Sequence, residues 1–104
     1  MTSEDEGRPV EFNKLIHQPA RLQIMTQLYV VDEADFLFLM RRTGLTWGNL
    51  SSHISRLEDA GYIEVRKEFL GKKPHTVLKM TKGGRKALEE YRNVINKIFE
   101  GVQE

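Results

Sequence analysis

One helix with a marked start, a marked end and an unusual outer face constrains this chain more than any other feature. Residues 46–60 read Thr46-Trp47-Gly48-Asn49-Leu50-Ser51-Ser52-His53-Ile54-Ser55-Arg56-Leu57-Glu58-Asp59-Ala60, and Gly61 follows. Thr46 suits an N-cap, because its hydroxyl can accept from the N–H groups that a first helical turn leaves unpaired. Gly61 suits the left-handed residue just past a helix. Leu50, Ile54 and Leu57 recur at i, i+4 and i+7, so one face is apolar. The opposite face carries Gly48, Ser52, Ser55 and Asp59, flanked by Asn49 and Arg56. Serine is a mediocre helix former, so this run of short hydroxyl side chains has to be explained.

The preceding segment supplies an explanation. Residues 35–44 predict a short helix with Asp35 as its N-cap and Gly44 past its end. A tight turn, Gly44-Leu45-Thr46, joins it to the next helix, which is the helix-turn-helix layout. Short polar side chains allow a helix to approach base edges closely and hydrogen-bond to them. Asn49-Leu50-Ser51-Ser52-His53, together with Leu57-Glu58-Asp59-Ala60-Gly61-Tyr62-Ile63, resembles the small winged-helix transcriptional regulators related to MarR and ArsR. The resemblance extends from about Pro19 to Ala87. It implies a strand of a few residues near 30–34, and a histidine at position 53 that orients the helix or touches a phosphate.

The charge map agrees. The formal net charge is only +1. Between Arg66 and Lys86, however, eight basic residues face Glu68 alone, a net +7. A basic stretch hidden in a near-neutral total is the footprint of a polyanion-binding face.

The remaining elements follow in order. Residues 1–10 are acidic and polar and read as a flexible tail, with no apolar segment of the kind a signal peptide needs. Residues 11–17 predict a short helix with Phe12, Leu15 and Ile16 on one side. Pro19 opens a second helix that reaches about Tyr29, with Leu22, Met25, Leu28 and Tyr29 as its inward stripe. Residues 62–69 alternate as a half-buried strand, residues 70–74 form a turn, and residues 75–80 return as the second strand of a wing. Thr81 caps a last helix running to about Val102, whose first turn Gly83-Gly84 should loosen. Leu88, Tyr91, Ile95, Ile98 and Val102 are spaced 3, 4, 3, 4. That is the seam of a helix packing along another helix, so these residues are expected to pair two copies.

No catalytic constellation is present. His17, His53 and His75 fall on separate elements without matched acids, and the chain has no cysteine. The acids Asp32, Glu33 and Asp35 are read as a linker and a helix cap, and Gly83-Gly84-Arg85 is too weak for a phosphate loop. The absence of cysteine also sets this chain apart from relatives that sense metals through cysteine pairs. No enzyme activity, cofactor, metal or membrane partner is expected, and no pattern names a small-molecule effector. No apolar run approaches ~18 residues, and a cytoplasmic location is expected.

The expected fold is mainly α with a small antiparallel β wing (α+β): a winged helix-turn-helix over residues 11–80 and a C-terminal dimerisation helix over 81–104. The expected function is sequence-specific double-stranded DNA binding as a homodimer, with helix 46–60 in the major groove. Asn49, Ser52 and Arg56 are best placed for base edges, with Thr46, Trp47, Gly48, Ser51, His53 and Ser55 nearby. Trp47 either touches sugar, phosphate or a thymine methyl, or packs over Ser51 and the neighbouring helix. Lys72, Lys73 and His75 on the wing would contact the backbone or minor groove. The competing reading is a winged-helix protein-interaction module within a larger complex.

Overall fold

The computed structural model describes residues 10–102. Its elements are α1 (Pro19–Val31), β1 (Glu33–Asp35), α2 (Phe36–Thr43), α3 (Trp47–Asp59), β2 (Ile63–Leu70), β3 (Lys73–Met80) and α4 (Lys82–Glu100). The antiparallel sheet has the order β1-β3-β2. The winged helix with a long C-terminal helix is therefore present. The expectation of a flexible tail falls almost wholly outside the described residues.

Local chemistry fixes the helix ends. The Asp35 side chain accepts from the Phe38 N–H, and Gly44 closes α2 in the left-handed region at φ 70°. The Thr46 hydroxyl accepts from the Asn49 N–H, and Gly61 has φ 79°. Pro19 occupies the first turn of α1, where Gln18 caps by accepting from the Arg21 N–H.

Residues 11–17 do not form the expected helix. The Asn13 side-chain oxygen accepts from the N–H groups of both Leu15 and Ile16 and its backbone carbonyl from the His17 N–H, which makes one isolated turn that does not continue as a helix. The turn is fixed on both sides: Asn13 Nδ2 donates to the Tyr62 hydroxyl, and His17 Nδ1 is hydrogen-bonded to the Tyr91 hydroxyl at 2.8 Å. Phe12 stacks on the His17 ring.

Helix α1 touches α2, α3, α4, β1 and β3. This central position explains why Ile24 is buried along with Met25 and Leu28, while Leu22 and Tyr29 of the expected stripe are only half-buried. The helix also runs past Tyr29 to Val31. Around it Ile16, Leu39, Leu50, Leu57, Ile63 and Leu78 complete the fully buried core.

The second wing strand begins two residues earlier than the sequence suggested, and the first is shifted by one residue at the same length. They close through Gly71-Lys72, with Gly71 at φ 66°, as in a hairpin turn whose first central residue is glycine. Pro74 is tolerated inside β3 because Leu70 and Lys73 form the closing pair. The next pair, Phe69 with Pro74, leaves the proline nitrogen pointing away from β2, where β1 does not reach.

The first turn of α4 is pinned, contrary to expectation. The Thr81 hydroxyl donates to the Gly61 carbonyl and accepts from the Gly84 N–H. Gly84 is buried, and a Cβ there would lie 2.1 Å from the Tyr62 carbonyl oxygen. The glycine is required by this close approach. The Cα radius of gyration is 16.5 Å, above the ~13 Å of a compact chain this long, because the wing and the end of α4 both project.

Candidate nucleic-acid interface

Helix α3 buries Leu50, Ile54 and Leu57 and presents Gly48, Asn49, Ser52, Ser55 and Arg56 to solvent. A Cβ at Gly48 would meet nothing within 4 Å, so this part of the face is open. Thr46 is exposed at the N-terminus, where it caps the helix. No large side chain screens the outer face, so its amide and hydroxyls are available to an incoming surface.

The two flanks of α3 are engaged within the protein. On one side Trp47, Ser51, Ser55 and Glu58 line a cleft whose other wall is Val65, Lys67 and Thr76 of the wing. Ser51 is half-buried there, and Ser55 stands at the cleft edge. The Trp47 ring packs on Phe36 of α2 at a centroid distance of 4.3 Å, yet remains 61% exposed. The packing anticipated on the neighbouring helix is present, and the ring is still largely exposed.

On the other flank His53 is half-buried against α1. Arg21 Nη1 lies 3.2 Å from His53 Nδ1. A guanidinium has only donors, so Nδ1 must accept and the ring proton sits on Nε2. Burial first, then the charges of Arg21 and Arg56, push the His53 pKa below its ordinary value. Burial and Arg56 also lower the Arg21 pKa, although an arginine remains charged. Arg21 thus belongs to the basic edge of α3, and the sequence reading missed it. It is the one charged residue in α1, a signal that could have marked it.

The basic stretch does not form one face. Arg66 is paired with Glu33 and Glu68. Arg85 is paired with Asp32 and lies over the Tyr29 ring. Lys79 stands between Glu33 on β1 and Glu64 on β2. Lys82 and Lys86 lie on α4 at the base of the hairpin. The eight residues of β3 separate them from the tip, about 25 Å at ~3.3 Å per residue. Lys67, Lys72 and Lys73 are exposed toward the tip with no salt bridge among the described residues. His75 is apart from them, half-buried in a cleft with Glu33, Asp35, Phe38 and Val77.

The expected pairing seam divides in two. Leu88 and Tyr91 are buried in the core of their own chain, and Ile95 packs against that core. Ile98, Phe99 and Val102 are exposed beyond it. No helix among the described residues is long and apolar enough to cross a membrane.

The fold recurs in known proteins. The family described as winged helix DNA-binding domain matches residues 20–99. An uncharacterised protein of Methanocaldococcus jannaschii is 32% identical over 78 residues, which cover 75% of this chain and 85% of its own. The structure of a transcriptional regulator homologue from Pyrococcus horikoshii is similar with a TM-score of 0.82 at 28% identity, over 88% of this chain and 91% of that one. NadR, solved in complex with 4-hydroxyphenylacetate, shares the fold with a TM-score of 0.70 at 23% identity, over 85% of this chain and 62% of its own. The resemblance read from the sequence, to winged helix-turn-helix regulators, agrees with all of these.

Proposed function

Because this chain belongs to the winged helix DNA-binding domain family, a family of DNA-binding regulators rather than enzymes, we propose that it binds duplex DNA sequence-specifically, as a homodimeric transcriptional regulator in the cytoplasm. The observation that carries this reading is the outer face of α3. Gly48, Asn49, Ser52 and Arg56 are exposed side by side with nothing bulky between them. Asn49 and Ser52 lie near the helix N-terminus, the end that enters a major groove in helix-turn-helix proteins. Thr46 and Trp47 flank them, and Ser55 adds a hydroxyl near the wing. Ser51 and His53 act mainly by setting the helix against the wing and against α1.

The wing lysines Lys72 and Lys73, with Lys67, would take phosphates and supply affinity without sequence preference. His75 is left out of this set because it is half-buried in the cleft with Glu33 and Asp35. The dimer would form through the outer half of α4, where Ile98, Phe99 and Val102 continue an apolar strip past the core. Two copies related by a twofold axis would bind an inverted repeat. Selection of bound sites from random duplex DNA tests the proposal. It should return a palindromic sequence. Recovery of no preferred sequence would contradict a sequence-specific regulator.

A further inference from the structure

The wing ends in an apolar tip that the core does not use. Phe69 is 71% exposed and Leu70 60% exposed, at the last two positions of β2. Side chains alternate along a strand, so Ile63, Val65, Lys67 and Phe69 share one face with their partners Met80, Leu78, Thr76 and Pro74. That face starts in the core, passes α3 at Lys67 and Thr76, and ends at Pro74, exposed at the edge of a cleft with Trp47, and at Phe69, which lines no cleft among the described residues. Lys67 precedes Phe69 and Leu70 along the chain, and Lys72 and Lys73 follow them. An exposed aromatic at the end of a hairpin is an aggregation liability unless a partner takes it up, and the surrounding lysines select an anionic partner.

The dimensions suit one such partner. Phe69 and Pro74 lie two residues beyond the Lys67–Thr76 pair that meets α3, about 7 Å at ~3.3 Å per residue, and the turn at Gly71–Lys72 lies about 13 Å beyond it. On B-DNA a major groove and the next minor groove are about 17 Å apart, half of the ~34 Å helical turn. A hairpin projecting beyond the flank of a helix seated in the major groove points its end toward the adjacent minor groove. The side chains that proteins drive between base steps from the minor groove include phenylalanine, leucine and proline.

We propose that Phe69, backed by Pro74, is a minor-groove wedge that partly unstacks a base step and bends the duplex, while Lys72 and Lys73 hold the flanking phosphates. This deepens the reading of the protein as a DNA-binding regulator and rests on it. The wedge would make the flexible pyrimidine–purine steps preferred under the wing, a sequence preference without a hydrogen bond to any base.

The test uses the full chain and a duplex carrying a site selected from random DNA, with donor and acceptor dyes at its ends. Binding of the unaltered protein should shorten the end-to-end distance. Phe69→Ala should keep the thermal midpoint and the oligomeric state, lower affinity by no more than about tenfold, and abolish most of the bend. Phe69→Leu should retain the bend. A bend unchanged in Phe69→Ala, binding by the unaltered protein to an unbent duplex, or a changed oligomeric state in Phe69→Ala would each overturn the wedge. The DNA-binding reading would survive all three, because it fails only if the unaltered protein binds no duplex.

Discussion

Arg21 on α1 donates from Nη1 to Nδ1 of His53 on α3 at 3.2 Å, tying α3 to the central helix of the core. The bond exists only while His53 is neutral, and burial together with the nearby arginines lowers its pKa in the folded state. The unfolded chain therefore binds more protons than the folded one between the lowered pKa and the ordinary value of ~6.5. The stability from this interaction should be complete above about pH 6.5 and decline as pH falls through the lowered pKa. The thermal midpoint should fall more steeply from neutral to mildly acidic pH in the unaltered protein than in His53→Gln, which cannot titrate. Parallel profiles would show that His53 does not couple to folding.

The paired glycines at the start of α4 should respond oppositely. Alanine is the better helix former by about 1 kcal/mol. At Gly83 a Cβ meets nothing closer than 3.6 Å, so Gly83→Ala should be neutral or stabilising. At Gly84 it would strike the Tyr62 carbonyl, and Gly84→Ala should be destabilised by about 1–3 kcal/mol. Denaturant midpoints of the two variants measure the difference.

The divided seam of α4 allows assembly to be separated from folding. Ile98→Asp with Phe99→Asp alters exposed positions beyond the core. It should leave helix content and thermal midpoint close to those of the unaltered chain, while sedimentation equilibrium shifts from dimer to monomer. Leu88→Asp should unfold the chain, because Leu88 is buried within it. A monomer for the unaltered protein at micromolar concentration would contradict the dimer.

Salt dependence should locate the lysines that neutralise phosphates. Lys72→Ala with Lys73→Ala should weaken binding to all duplexes about equally and reduce the slope of log affinity against log salt by ~0.9 for each phosphate left without its lysine. Lys82→Ala with Lys86→Ala should leave the slope unchanged, because those lysines lie at the base of the hairpin. Equal effects of the two pairs would mean that both ends of the wing touch the backbone.

Much of the helix-turn-helix was legible because capping is local. Asp35, Gly44, Thr46 and Gly61 each act within a few residues of their own position, and α2 and α3 begin and end where these residues indicate. The failures all involve relations that no local window contains. The turn at residues 13–17 is held by partners far along the chain, Tyr62 to Asn13 and Tyr91 to His17. A summed charge between Arg66 and Lys86 does not register that a hairpin separates its two ends, or that Glu33 and Asp32 neutralise its arginines. Periodicity along α4 identified an apolar strip, but only the packing divides it between the core and solvent. Arg21 and His53 are 32 residues apart.

The central claim is that the outer face of α3 reads bases, and Asn49 tests it most directly. Its side chain is exposed near the helix N-terminus, and an amide can pair with the N6 and N7 of adenine. Arg56 lies two turns further on, where a long side chain can instead reach a phosphate. The measurement is a pair of titrations at one fixed salt concentration, on the selected palindrome and on random duplex. Asn49→Ala should lose about 1–3 kcal/mol on the palindrome and almost nothing on random duplex. Equal losses on both would contradict base reading by this face.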